Sequence, residues 1–535
     1  MFGMMYKKKI FKLPFPFTDL TTTKARPALA ITEPDEYGDI EFVFITTKHI
    51  KSIANNIPLE ENILPYPSKI NVEKVYLLNK SIIIKELAIV DDIVFGKVLK
   101  ALFFKETKNY FDAIHKPKQN IKFIAGKSHI NYAGRVFDEK EMINLIDSSL
   151  DFWLTYGDYS RRFEQKLSSI LHVRYAFLVN SGSSANLLAF YTLTSPLLKD
   201  RQIKRGDEVI TVAAGFPTTV SPIVQYGAVP VFVDMELKYF NIDITQLENA
   251  ISSKTKAVML AHTLGNPFNI KVVKEFCDKH NLWLIEDNCD ALGSIYDHKY
   301  TGTWGDIGTS SFYPPHHITM GEGGAVYTDN PLLKKIMLSM RDWGRDCWCE
   351  SGVDNTCGHR FTQQFGNLPK GYDHKYVYSH FGFNLKATDM QAAIGVAQLD
   401  KLEYFTKKRQ KNFQQLYNEL KSIEHILLVQ PQPLSKPSWF GFMITLKESS
   451  KYNRNKISQY LEENNIQTRN LFAGNMLKHP MFKYLVENKD YRVIGKLKNT
   501  DKIMNDSFWV GVYPGMDKEM IDYMVKTIKQ AFAMV

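Results

Sequence analysis

The residues best able to do chemistry in this 535-residue chain lie in a few short segments. Residues 310 to 325 read Ser-Ser-Phe-Tyr-Pro-Pro-His-His-Ile-Thr-Met-Gly-Glu-Gly-Gly-Ala, with adjacent imidazoles at His316 and His317. A neutral imidazole moves protons near neutral pH. Upstream, Asn180-Ser-Gly-Ser-Ser-Ala-Asn follows an apolar run and opens a helical pattern. Glycine allows close backbone approach, and free amides at a helix start bind phosphate; an ordinary Ser/Gly cap accounts for the same residues without a ligand. Asp287 ends the hydrophobic run Leu282-Trp-Leu-Ile-Glu-Asp, where a helix cap is the plain alternative to a functional carboxylate.

The cysteines are Cys277, Cys289, Cys347, Cys349 and Cys357. An odd number in a large chain without a secretion signal argues against a disulfide framework and for metal or reactive-thiol use. Four of them follow a C-x57-C-x-C-x7-C spacing. Four thiolates are what a [2Fe–2S] cluster needs, whereas Cys-x-Cys alone suits zinc or plain burial. Cys277, at core-facing helical spacing in Lys271-Val-Val-Lys-Glu-Phe-Cys-Asp-Lys-His, is expected to be a buried structural residue.

These residues need a scaffold, and its pattern is legible. From about 140 to 400, short apolar strands (175–179, 208–212, 229–234, 257–261, 282–287) alternate with helices, one starting at Ser183. That pattern means a largely parallel sheet covered on both faces. After about 405, amphipathic helices at 407–420 and 457–464 flank a strand at 440–446, a smaller α+β C-terminal domain. Residues 1 to about 105 carry β-rich runs at 41–46, 75–78 and 81–84. They end in a helix from Asp91 with Ile93, Val94, Val98 and Leu102 on one face. The expected organisation is a small domain over 1–107, a polar linker over 108–127, a large domain over 128–404 and a small domain over 405–535.

Composition sets bounds. Hydrophobic residues at 44% and charged residues at 23% are those of an ordinary globular protein. No apolar run approaches the roughly 18 residues needed to span a bilayer. The basic start is followed by Leu-Pro-Phe-Pro-Phe rather than by a cleavable apolar segment, so the chain is expected to be cytoplasmic. The formal charge of +10 is diffuse, with 15 Lys and Arg against 13 Asp and Glu in residues 1–107. A diffuse surplus suits small anionic substrates and a solvated surface equally.

The segment around His316 resembles the cofactor-lysine segment of DegT/StrS-type, pyridoxal-phosphate-dependent sugar aminotransferases, with His316 where the lysine stands. An imidazole forms no stable imine with the cofactor aldehyde, so transamination is replaced by other chemistry. The resemblance implies the type I aminotransferase fold, an α/β large domain with a mostly parallel sheet and a small α+β domain. It also implies roles. Gly182, Ser183, Ser184 and Ser311 would hold the cofactor phosphate, Phe216 would stack on the ring, and Asp287 would pair with the pyridinium nitrogen. Asn384 would reach the phosphate of a neighbouring subunit, hence a homodimer. Relatives often carry Gln where this chain has Asp290, a departure with no role assigned.

The cysteine spacing, with Arg341-Asp-Trp-Gly-Arg-Asp-Cys-Trp-Cys and Asn505-Asp-Ser-Phe-Trp-Val-Gly-Val-Tyr-Pro-Gly, resembles the iron–sulfur nucleotide-sugar 3-dehydrases over about residues 110 to 535. That likeness implies pyridoxamine 5'-phosphate (or pyridoxal 5'-phosphate) and a [2Fe–2S] cluster on Cys289, Cys347, Cys349 and Cys357. The implied reaction is C3 deoxygenation of CDP-4-keto-6-deoxyglucose in 3,6-dideoxysugar synthesis for lipopolysaccharide. His316 would be the general base, and an NAD(P)H-dependent flavin and iron–sulfur reductase the electron source. His317 is the rival base. A cluster-free alternative is the GDP-4-keto-6-deoxymannose 3-dehydratase type, which also carries His for Lys.

Residues 1–107 resemble MazF/PemK-type toxins, small β-barrel ribonucleases, through the stretches 13–31, 44–48 and 77–81 and the closing helix. That likeness implies a nuclease site at Arg26 and Thr46 and RNA as a partner if the domain is active. An inactive relic and a regulatory module are the other readings, and an RNA-cleaving toxin carrying an inert sugar-enzyme scaffold is the contrasting account of the whole chain. The toxins' usual Gly-Asp-containing first strand is replaced by Tyr6-Lys-Lys-Lys-Ile-Phe.

Overall fold

The computed structural model describes residues 5–16, 23–47, 56–349, 352–448 and 450–534. Two compact units emerge: Met1–Ile121 with Ser149–Asp151, and Lys122–Ser148 with Phe152–Val535.

The first unit is a six-stranded sheet and a helix. Its strands are β1 (Lys9–Pro16), β2 (Thr23–Ala30), β3 (Asp39–Thr46), β4 (Asn56–Pro58), β5 (Lys69–Asn79) and β6 (Lys85–Ile89), in the order β4-β5-β3-β2-β1-β6. All pairs are antiparallel, and β3 and β5 slip register between Val43 and Phe44. Strand β3 alternates only at its start and then buries Phe42, Val43, Phe44 and Ile45 in succession. Helix α1 (Asp92–Tyr110) starts where the Asp91 carboxylate accepts the Val94 N–H at 2.7 Å.

Three local expectations change here. The run 81–84 is not a strand: Lys80–Ile82 forms a 3-10 turn and the strand begins at Lys85. The face of α1 that packs is Val94, Phe95 and Val98, while Ile93 is 69% exposed. The segment 108–127 is helical as far as Gln119, with Pro117 at the start of its last four-residue stretch. Of the toxin-like stretches, residues 17–22 and Lys48 lie outside the described residues.

The second unit is built on an eight-stranded mixed sheet. Strand β7 (Tyr175–Val179) leads into helix α2 (Gly182–Thr192). There follow β8 (Glu208–Val212), helix α3 (Pro217–Tyr226), β9 (Val229–Val233), β10 (Thr255–Ala261), helix α4 (Ile270–Lys279), β11 (Trp283–Asp287), β12 (Ile307–Ser311) and β13 (Gly324–Thr328). The order is Arg492–Val493, β9, β8, β10, β11, β12, β13, β7, parallel as far as β12, with β13 antiparallel to both neighbours. Strands β8, β11 and β12 are buried along their whole length, as expected of strands covered on both faces. Cys277 is 1% exposed within this core, in α4.

Past α5 (Leu402–Leu420), a four-stranded antiparallel sheet joins β14 (Ile426–Leu428), β15 (Gly441–Leu446), β17 (Ser507–Gly511) and β16 (Thr468–Arg469), in that order. Arg492 ties the edge of the large sheet to Glu208 through Nε and Nη2, at 3.1 and 2.8 Å.

Candidate cofactor and proton-transfer site

The carboxyl ends of β7, β11 and β12 and the start of α2 open onto one cavity of about 690 Å³, a usual size for a small-molecule site. The carboxyl edge of a doubly wound sheet is where ligands bind, because the helices that follow point their N-termini there.

At α2 the chain is packed to the limit. The Ser181 hydroxyl caps the helix by accepting the Ser184 N–H at 3.1 Å. A Cβ on Gly182 would lie 2.4 Å from Ser311 Cβ and 2.6 Å from its Oγ, and one on Gly324 would meet the Ser181 carbonyl at 2.3 Å. The result is a cradle in which Gly182, Ser183 and Ser311 line the cavity beside a helix N-terminus. Ser184 is drawn into the cap and is absent from the lining.

Asp287 closes β11 and is 4% exposed. Its Oδ2 accepts Asn186 Nδ2 and Thr219 Oγ1, both at 2.8 Å, and its Oδ1 accepts the Cys289 N–H at 3.1 Å. Asn186 is locked in turn by Thr309 Oγ1 at 2.7 Å. Three donors fix the carboxylate in orientation, which suits it to face a cationic ring nitrogen. Phe216, half exposed, lines the cavity from the residue before α3.

His316 lines the cavity; His317 does not. His317 is 2% exposed, faces the Ser438 carbonyl through Nε2 at 2.6 Å, and burial drives its basicity far down. His316 packs against Phe440 with ring centroids 5.3 Å apart. Its backbone carbonyl accepts Arg409 Nη2 at 3.2 Å. Arg409 is fully buried, which brings its guanidinium down to about 9. His316 Nε2 stands 3.4 Å from Asp290 Oδ1. That is long for a hydrogen bond and ordinary for an ion pair, and such contacts tighten when a site is loaded. Burial pushes the Asp290 carboxyl up, with His316 pulling the other way.

The cysteines divide. Cys289 lines the cofactor cavity, its thiol raised by burial and by Asp287. Cys347, Cys349 and Cys357 line a separate small cavity with Asn355, Arg360, His374 and Lys375. Burial opposes the Cys349 thiolate, but hydrogen bonds from Thr356, the Cys357 backbone, Cys347 and Cys357 outweigh it and bring the thiol to about 6. Cys357 Sγ lies 3.7 Å from His374 Nδ1, and His374 Nε2 meets Asp346 at 3.0 Å. Among the described residues no three His, Cys, Asp or Glu side chains are arranged to close on a metal ion. The donors are chemically right for a cluster, but the four thiols are not assembled around one point.

Asn384 is exposed, accepts Lys386 Nζ at 2.9 Å and is absent from its own chain's cavity. In the first unit, Arg26 lies on β2 opposite Leu13 with its guanidinium 5.3 Å from the Phe44 ring, and Thr46 ends β3 opposite Lys69. Residues that sequence reasoning left without a role include Asn186, Thr219, Arg469, Tyr132 and Trp509; only the Ser/Gly motif gave a signal, for Asn186.

Comparison with known proteins places the chain in a family. Residues 137–529 match the model of the DegT/DnrJ/EryC1/StrS aminotransferase family. The chain is 54% identical over 413 residues to the lipopolysaccharide biosynthesis protein RfbH of Salmonella typhimurium, covering 77% of this chain and 94% of that one. It is 48% identical over 419 residues to the dTDP-4-dehydro-2,6-dideoxy-D-glucose 3-dehydratase of Saccharopolyspora spinosa, covering 78% and 90%. A solved structure of E. coli GDP-4-keto-6-deoxy-D-mannose-3-dehydratase with bound hydrated PLP superposes with a TM-score of 0.67 at 29% identity, over 75% of this chain and all of that one. The chain belongs to the DegT/DnrJ/EryC1/StrS aminotransferase family, and its large unit has the fold of pyridoxal-phosphate-dependent aminotransferases.

Proposed function

We propose that the protein is a pyridoxamine-phosphate-dependent 3-dehydrase of a nucleotide-linked 4-keto-6-deoxysugar, acting in deoxysugar and lipopolysaccharide synthesis. The observation that carries this is the imidazole of His316 in the same cavity as the clamped Asp287 carboxylate and the Gly182–Ser311 cradle, at the position where aminotransferases of this type carry lysine. Relatives at 54% and 48% identity, one named for lipopolysaccharide synthesis and one for 3-dehydration, support it.

The residues present fit the cofactor. The amides at the start of α2, with Ser183 and Ser311, hold its phosphate; Phe216 covers a face; Asp287 keeps the ring nitrogen protonated. When bound, pyridoxamine phosphate supplies an amine for the substrate ketone and a ring that takes up electrons. His316 would act as the general base, and the Asp290 carboxyl, 3.4 Å from its Nε2, would stabilise the imidazolium that results. The Arg409 bond to the His316 carbonyl holds the backbone there, and Phe440 packs against the ring. Converting His316→Asn is expected to leave cofactor absorbance in place and abolish dehydration; near-normal turnover overturns the assignment.

The finer reading is CDP-4-keto-6-deoxyglucose as substrate, a [2Fe–2S] cluster on Cys289, Cys347, Cys349 and Cys357, and a separate NAD(P)H-dependent flavin and iron–sulfur reductase. The C-x57-C-x-C-x7-C spacing is the ground for a cluster, and three of those thiols line one small cavity. The separate position of Cys289 favours a second reading, a cluster-free dehydratase like the GDP-4-keto-6-deoxymannose enzymes, to which the chain is 34% identical in Yersinia pseudotuberculosis. Iron and acid-labile sulfide in anaerobically purified protein decide between them. Exposed Asn384 supports a homodimer in which it serves the partner's phosphate. The first unit is read as a toxin-like domain retained without activity. RNA cleavage that Arg26→Ala abolishes would instead make it a nuclease.

A further inference from the structure

The charges lining the cavity are uneven. Asp287, Asp290 and Glu322 bring three carboxylates, and Arg469 is the one Lys or Arg among the described lining residues. Arg469 sits on β16 opposite Trp509. Its guanidinium carbon lies 4.0 Å from the centre of the Tyr132 ring, and Nη1 donates to the Thr468 carbonyl at 2.7 Å. The platform beneath it is fixed: Tyr132 packs edge-on to Trp509 at 5.5 Å, Trp509 Nε1 donates to the Asn470 carbonyl at 3.0 Å, and the Tyr132 N–H donates to Gln467 at 3.3 Å. Among the described residues no carboxylate pairs with Arg469, and most of its N–H groups are uncommitted. A guanidinium stacked on an aromatic face keeps its fork of donors in one plane, the arrangement that binds phosphate bidentately.

We propose that Arg469 anchors the diphosphate of the nucleotide that carries the sugar. This rests on the function proposed above. The cofactor phosphate has its own seat at α2. A second doubly charged anion entering a cavity with three carboxylates needs a cation, and Arg469 is the one that lines it. The anchor holds the nucleotide at the C-terminal sheet and leaves the sugar to reach His316, so Arg469 contributes to substrate affinity and not to proton transfer.

The test is calorimetric titration of the pyridoxamine-phosphate-loaded enzyme with CDP, GDP and the corresponding nucleosides, for wild type and for Arg469→Gln and Arg469→Lys. Losing one charge-assisted phosphate contact weakens nucleoside diphosphate binding by roughly 10- to 150-fold in Arg469→Gln. A smaller loss is expected in Arg469→Lys. Cofactor absorbance and nucleoside affinity stay unchanged. Undiminished diphosphate binding in Arg469→Gln overturns the proposal, as does loss of cofactor instead of nucleotide, which would make Arg469 part of the cofactor seat. Wild-type enzyme that binds no nucleoside diphosphate overturns the functional reading beneath it.

Discussion

Replacing Gly182 by alanine tests the phosphate cradle directly. The new Cβ would stand 2.4 Å from Ser311 Cβ, 2.6 Å from Oγ and 3.2 Å from Cα. Carbon atoms in contact need about 3.5 to 4.0 Å, so the helix start or Ser311 must retreat by about 1 Å. Neither is free to do so. Ser311 is paired with Gly324 across the β12–β13 ladder, and Gly324 already lies against the Ser181 carbonyl. Overpacking of this kind costs about 1–3 kcal/mol. A shift of that size also takes the α2 amides beyond the usual 2.7–3.2 Å from a phosphate oxygen. Losing one such charge-assisted bond, worth about 1.5–3 kcal/mol, weakens the cofactor by roughly 10- to 150-fold. The assay is absorbance titration of the apoprotein with pyridoxamine phosphate, together with cofactor-free calorimetric unfolding. A dissociation constant within about twofold of wild type refutes the reasoning, whether or not the melting temperature falls.

Other outcomes follow from the same geometry. Asp287→Ala strands the Asn186, Thr219 and Cys289 donors, so it should cost about 1–3 kcal/mol of stability for each donor left unpaired and also weaken cofactor binding, read by chemical denaturation and titration. Asp290→Asn should lower kcat while leaving cofactor affinity near wild type, because the imidazolium loses its carboxylate; unchanged kcat refutes the pairing with His316. Burial works against the Glu208 carboxylate, but its bonds from Arg492 and Ser252 win and hold its pKa below the usual value. Its contribution is therefore complete above the unfolded carboxyl range, near pH 4.5, and is lost as pH falls through the lower folded value. Arg492→Met should move acid unfolding, followed by circular dichroism, to higher pH. Cys349→Ser should lower iron and sulfide content if a cluster is present, and Cys289→Ser should do so only if the two cavities share it.

Much of this protein was legible because local physics writes itself into spacing. Runs such as Val229–Val233 are apolar throughout because parallel strands are covered on both faces, and the Ser181-Gly182 cap reads as a helix start whatever surrounds it. The motif around Ser311 and His316 placed the candidate cofactor site by resemblance. What only the tertiary structure decided were meetings between distant residues and the orientation of adjacent ones. Asn186 and Thr219 clamp Asp287 from 101 and 68 residues away, and no local pattern records that. His316 and His317 sit in an irregular turn without a fixed side-chain period; packing against Phe440, the Arg409 bond and the Ser438 carbonyl turn one toward the cavity and the other into the core. The cysteines show the same limit. Their spacing is a property of the chain, but whether four sulfurs reach one point depends on how the segment after Arg341 folds against β11, and there the structure gathers three in one small cavity and leaves Cys289 in another.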